Sequence, residues 1–290
     1  MSRTADATAS QRAEQLLRDL GISSLPVDPV AIAARHDIVV QPKANAKPGI
    51  SGLLVKVGDT FGIMYATHLG NEGCERFSIG HELGHFFLPG HIDAVIGPDG
   101  LHASRAGFAS VDRYEAEADH FSAGLLMPRQ LFVNAVASAG EGLDAVETLA
   151  TTCKTSLTAT AIRLTQCTPD PLAVIVSNGA QIDYCFISDT LRELSGIDWI
   201  RKGQIVPRAS ATFAFNQNSG NVKDGKRTSG TSDLQDWFGG SRSIEVTEDI
   251  MGLGSFGRTL TILYGFEVPD EDEEAEEESM VASWKPHFRR

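Results

Sequence analysis

The sequence predicts an α+β protein built from more than one domain. Three observations carry this. Amphipathic helical patterns dominate up to about residue 166; after Thr168-Pro169-Asp170-Pro171 the texture changes to short β-rich runs; and the pentad His81-Glu82-Leu83-Gly84-His85 sits in the middle of one helical stretch. A chain of 290 residues is long enough for two cores.

Taken in order, Gln11 to Leu20 places Ala13, Leu16, Leu17 and Leu20 at helical spacing, with Gly21 where a helix end favours glycine. Asp28-Pro29 opens a short helix through Ala34, Asp28 as cap and Pro29 in the first turn, and Ile38-Val39-Val40 then reads as extended. Ile50 to Val57 and Phe61 to Ala66 flank Gly58-Asp59-Thr60, which predicts an antiparallel hairpin and a small sheet ahead of the pentad. Phe77, Ile79, Leu83, Phe86 and Phe87 give a helix over 75–88 a broad buried face, and Pro89-Gly90 stops it. The polar stretch 91–110 reads as a long loop able to line a site, and a further helix over 112–126 ends at Met127-Pro128. Residues 129–166 read as helical. Within them 149–164 has the spacing and polar break of a helix-turn-helix, a pattern that a packing unit without DNA contact also shows.

Beyond Pro171, β runs at 172–177, 182–187, 212–215, 243–247 and 259–266 predict a second α+β domain. Residues 216–232 are rich in Gly, Ser, Asn and Lys and are expected to form a mobile loop. The acidic run Asp270 to Glu278 repels itself and predicts a solvated tail.

Composition excludes several classes. A net charge of −13 argues against broad binding of duplex nucleic acid, which relies on Lys and Arg neutralising phosphates. No apolar stretch approaches the ~20 residues of a membrane span. The N-terminus shows no apolar core followed by a cleavage site, so the expectation is a cytoplasmic protein without membrane contact. Cys74, Cys153, Cys167 and Cys185 have no paired spacing and read as reduced thiols.

The pentad carries chemistry. Residues four apart share a helix face, so His81 and His85 can direct two imidazole nitrogens at one metal ion. Zinc lowers the pKa of bound water towards ~7, and Glu82 beside the first ligand can take its proton for attack on an amide. Two buried histidines among Phe77, Ile79 and Leu83 would be costly without a partner, which a metal supplies. A third ligand is needed, and Glu115-Ala116-Glu117-Ala118-Asp119 on the following helix offers Glu115, with Asp119 one turn on to hydrogen-bond a ligand histidine. Glu117, on another face, is an alternative ligand. His91 is a rival, ten residues after His81 as in H-E-x-x-H-x-x-G-x-x-H enzymes, although Leu88 stands where that motif needs Gly. His102 and His120 are candidates for substrate or oxyanion contacts, and Cys74 for a thiolate cap on the metal, each against a plainer surface or helix-start role.

Arg76-Phe77-Ser78-Ile79-Gly80 running into the pentad, followed by 115–128 from Glu115 to Met127-Pro128, resembles the ImmA/IrrE family of metallopeptidases over about residues 10–166. The resemblance implies zinc held by His81, His85 and Glu115, with Glu82 catalytic; Asp119 stands where the family usually has Asn. It implies a zincin-like metallopeptidase domain over 1–128, a helix-turn-helix-like helical segment over 129–168, a GAF-like α+β sensor domain over 169–268 and an acidic tail over 269–290. The implied substrate is a helix-turn-helix transcriptional repressor, whose cleavage switches on stress, mobile-element or phage-response genes. The layout also suits the CapP-type branch, which regulates anti-phage operons in response to DNA damage. Single-stranded DNA or a small molecule is the candidate activator, with Arg201, Lys202 and Arg208 among the basic positions that could meet it. The rival expectation is a zinc-containing sensor or DNA-binding regulator without peptidase activity.

Overall fold

A computed structural model describes residues 3–44, 49–68, 70–105 and 112–266. The acidic tail expected over 269–290 lies outside them. The fold is α+β, with two sheets and twelve α-helices among the described residues. The chain divides into two compact units, Met1–Asp170 with Phe186–Asp189, and Pro171–Cys185 with Thr190–Arg290. No helix among the described residues is long and apolar enough to cross a membrane. None of the four cysteines is disulfide-bonded.

The first unit opens with α1 (Arg3–Asp19) and α2 (Pro29–Ala34), where the Asp28 carboxylate accepts from the amides of Val30 and Ala31. β1 (Val39–Lys43), β2 (Ile50–Val57) and β3 (Thr60–Ala66) follow, then α3 (Glu72–Phe87). The sheet order is β1-β3-β2-β4, with β2 and β3 forming the antiparallel hairpin and β1 parallel to β3. Residues 91–105 of the expected loop are more ordered than a loop. They contain the short helix α4 (His91–Val95) and the strand β4 (Leu101–Arg105), which pairs antiparallel with β2. α5 (Arg113–Leu126) then packs on α3 and α1. Apolar side chains of α1, α2, the sheet, α3 and α5 make one core, among them Leu17, Ile32, Leu54, Leu83 and Phe121, all nearly or fully buried. α6 (Arg129–Val136), α7 (Gly142–Cys153) and α8 (Leu157–Cys167) complete the unit. The break between α7 and α8 is made by Lys154 in the left-handed conformation and by Ser156, whose hydroxyl caps α8 at the Ala159 amide.

The second unit is a five-stranded sheet in the order β6-β5-β9-β8-β7. β5 (Ala173–Asn178) and β9 (Thr259–Tyr264) are central and almost wholly buried, which is why their apolar runs stand out in the sequence. β6 (Gln181–Ile187) lies at one edge and β8 (Glu245–Gly252) between β9 and β7. Two expectations are corrected. Residues 212–215 are not a strand but part of α10 (Ala211–Asn216), capped by the Ser210 hydroxyl at the Phe213 amide and anchored by Thr212, which donates to Glu248. The expected loop 216–232 contains α11 (Ser219–Lys223) and most of β7 (Arg227–Asp233). β7 is an edge strand with largely exposed side chains, so its backbone ladder to β8, rather than apolar residues, makes it a strand. Short helices α9 (Asp189–Glu193) and α12 (Leu234–Phe238) fill the connections.

Candidate metal centre

α3 starts where the Asn71 side chain accepts from the Cys74 amide, and ends where Leu88, extended ahead of Pro89, cannot continue it. Its contact with α5 is set by small residues one turn apart. A Cβ on Gly84 would lie 3.0 Å from Ala118 Cα, and one on Gly80 2.5 Å from Ser122 Oγ. The Ser122 hydroxyl also donates to the Phe77 carbonyl at 2.8 Å. This close approach brings the Glu115/Asp119 edge of α5 onto the His81/His85 edge of α3. On the other side β2 passes over α3 at Gly52, where a Cβ would lie 2.3 Å from Glu82 Oε1, so glycine makes the room that the carboxylate occupies.

The imidazole Nε2 atoms of His81 and His85 are 3.0 Å apart. Glu115 Oε2 is 3.4 Å from the first and Glu115 Oε1 3.5 Å from the second. A tetrahedral ion such as zinc holds its donors at ~2.0–2.1 Å and hence about 3.3 Å apart, so this donor set fits one. His81 turns its Nδ1 to Asp119 Oδ1 at 2.8 Å. The group has a fourth member that the sequence pattern did not single out as a ligand: His102 on β4, its Nε2 3.1 Å from Glu115 Oε1 and 3.2 Å from Ser104 Oγ. One donor atom from each of His81, His85, His102 and Glu115 lies within 4.8 Å of all the others, so the cluster could hold a metal ion. His91 and Glu117 lie outside it. His91 Nδ1 faces His85 Nδ1, on the far edge of that ring, at 3.1 Å, and His91 Nε2 faces Glu117 Oε2 at 3.0 Å. Neither Cys74 nor His120 joins the group.

Glu82 is fully buried, and neither of its oxygens has a hydrogen-bond partner. The nearby Ser104 hydroxyl is 3.2 Å from His102 Nε2. Burial pushes the Glu82 carboxyl above its ordinary range, an effect that His81 and the nearby Ser104 hydroxyl oppose. Burial also disfavours charge on His81, but hydrogen bonds to Asp119 and Glu115 outweigh it and raise that imidazole to about 10. His85, lacking an equally strong partner, is lowered by burial to about 4. For Glu115, hydrogen bonds from His102, His81 and His85 overcome burial and hold the carboxyl far below the usual range.

No curated protein matches the chain. A solved structure described as a Mycobacterium tuberculosis transcriptional regulator is similar at 13% identity, over 89% of this chain and 76% of that one, with a TM-score of 0.58; at that identity the likeness shows the fold alone. Residues 33–165, which contain every member of the histidine and carboxylate cluster, match the family described as Peptidase_M78, IrrE N-terminal-like domain. Through that domain the chain is similar to the ImmA/IrrE family.

Proposed function

We propose that the chain is a zinc-dependent endopeptidase whose ion is held by His81, His85 and Glu115, with Glu82 as general base and then general acid. One observation carries the reading. Two imidazole nitrogens 3.0 Å apart and a carboxylate at 3.4 and 3.5 Å converge on one point, beside a buried carboxylate with no hydrogen-bond partner. A zinc ion there would polarise the scissile carbonyl and acidify the attacking water. Glu82 accepts the proton of that water and returns it to the leaving amine; its burial keeps other waters from competing for it. Asp119 holds the His81 ring through Nδ1, leaving Nε2 for the ion. In this reading His102, placed by β4 with its Nε2 3.1 Å from Glu115 Oε1, is the candidate to steady the oxyanion.

The family points to a helix-turn-helix repressor as substrate, and the name of the similar solved structure keeps a regulatory setting in view. In this reading the first unit is zincin-like, α7 and α8 form a helix-turn-helix-like extension, and the second unit acts as a GAF-like sensor for single-stranded DNA or a small molecule in the cytoplasm. A role in anti-phage regulation would follow for a CapP-type member. A second reading has its own support. With His102 the centre offers four protein donors, the number found in structural zinc sites, as a regulator without peptidase activity would have.

Metal analysis and cleavage of a co-encoded repressor, comparing wild type with Glu82→Gln and Glu115→Ala, separate the two. Under the peptidase reading Glu82→Gln keeps one zinc and loses cleavage, while Glu115→Ala loses both. A wild-type protein that holds zinc and cleaves no candidate repressor, with or without single-stranded DNA, favours the structural reading.

A further inference from the structure

We propose that His91 and Glu117 form a positioning relay that fixes the tautomer and orientation of His85, rather than binding the ion themselves. The inference rests on the metal-centre reading above. If His85 offers Nε2 to the ion, its proton sits on Nδ1, and the acceptor facing that proton is His91 Nδ1 at 3.1 Å. A nitrogen that accepts cannot carry a proton, so the single proton of neutral His91 is on Nε2, where it donates to Glu117 Oε2 at 3.0 Å. The other oxygen of Glu117 accepts from Arg113 Nε at 2.6 Å. Every donor in this chain then meets one acceptor, with both histidines neutral and the glutamate ionised. Both ring nitrogens of His91 are thereby engaged, and neither is left for the ion.

The backbone explains how His91 comes to this place. α3 is broken at Leu88-Pro89, and Gly90, at φ 78°, turns the chain so that His91 opens α4 beneath the His85 ring. His91 is fully buried, and the ring of Tyr114 meets it edge-on with centroids 5.0 Å apart, which fixes its plane. The relay ends at the surface, where the Arg113 side chain is 74% exposed. The two ligand histidines are thus held differently, His81 by a carboxylate directly and His85 through a second imidazole.

The test is made on the full chain labelled with 15N and loaded with 113Cd2+. Long-range proton–nitrogen correlation is expected to show cadmium coupling to Nε2 of His81 and His85, a proton on His85 Nδ1, and an uncoupled His91 protonated on Nε2. Cadmium affinity, measured by chelator competition, is expected to fall about 10–100-fold in His91→Leu. In His91→Gln, whose amide can both accept from His85 and donate to Glu117, most of it should return. Coupling of 113Cd to His91, or wild-type affinity in His91→Leu, overturns the relay. Should His91→Leu fail to fold, the wild-type spectrum and His91→Gln still decide. If His81→Ala and His85→Ala also bind cadmium as wild type does, the metal-centre reading itself has failed, an outcome distinct from failure of the relay alone.

Discussion

Glu82 on α3 of the first unit and Glu248 on β8 of the second are both completely buried. Glu248 is surrounded by donors: its Oε2 accepts from the amide and hydroxyl of Thr212 at 3.0 and 2.9 Å, and its Oε1 from Trp237 Nε1 at 3.3 Å. Neither oxygen of Glu82 meets a donor in good hydrogen-bond geometry, and the carboxylate lies against the bare backbone of Gly52 with the histidine cluster beside it. Burial alone therefore does not tell a structural carboxylate from a reactive one. The hydrogen-bond accounting separates the two and singles out Glu82 as the candidate for chemistry, because a buried acceptor left unmatched costs stability.

The largest effect that sharpens this contrast is on activity. Replacing Glu82 by Gln keeps shape and removes the proton acceptor, so cleavage should fall about 10²–10⁴-fold while bound metal stays at one ion per chain. Metal lost together with activity would mean that Glu82 holds the centre together and is no analogue of a free base. Next in size is the loss of the satisfied carboxylate. Glu248→Ala leaves the Thr212 amide buried without its acceptor, the hydroxyl keeping only Thr261, and should destabilise the second unit by about 2–4 kcal/mol, with Glu248→Gln nearer 1 kcal/mol. Hydrogen exchange of the β8 and β9 amides reads this locally. Unchanged protection in Glu248→Ala would show that the network is dispensable and break the comparison.

A smaller effect concerns His81. Its imidazole, raised to about 10 chiefly by its hydrogen bond to Asp119 against the effect of burial, would give up a proton if it ligates metal as proposed. Apparent affinity should thus rise about tenfold per pH unit between pH 6 and 8. Asp119→Asn keeps an acceptor and removes the charge, so the slope should flatten. Equal slopes for the two proteins in a metal-competition titration would show that Asp119 does not hold that proton.

The pentad and the α5 carboxylates were legible because helical period fixes faces: His81 with His85 and Glu115 with Asp119 are each one turn apart, and Gly80, Gly84, Ala118 and Ser122 at the same spacing let the two edges meet. His102 was not legible as part of the centre. It arrives through sheet register, opposite Leu54 on β2, and no local period links residue 102 to residue 81. A signal existed in Gly97-Pro98-Asp99-Gly100, a turn followed by the alternation Leu101, His102, Ala103, Ser104, but a five-residue polar edge strand is weak against the background of loops. The same limit explains β7, and the opposite error at 212–215 has the opposite cause. Thr212, Phe213 and Phe215 favour a strand locally, yet the Ser210 cap and the buried Glu248 acceptor hold them in a helix.

The smallest effect is the most direct comparison of the two glutamates, because its sign differs between them. In the metal-free protein Glu82→Gln should raise stability by about 1 kcal/mol, since a neutral amide is buried more cheaply than an unmatched carboxylate. Burial raises Glu82 in the folded chain above its ordinary 4.5, so on raising the pH the unfolded chain releases that proton first. Wild-type stability should then decline, relative to the Gln variant, as pH climbs from about 4.5 through the higher folded value, and the two should converge in acid. Thermal unfolding of both metal-free proteins at pH 5 and pH 7.5 measures the gap. A gap that widens with pH identifies an unmatched buried acid; a constant gap, or a less stable Glu82→Gln protein as expected for Glu248→Gln, would show that Glu82 has a partner and that the two carboxylates are alike.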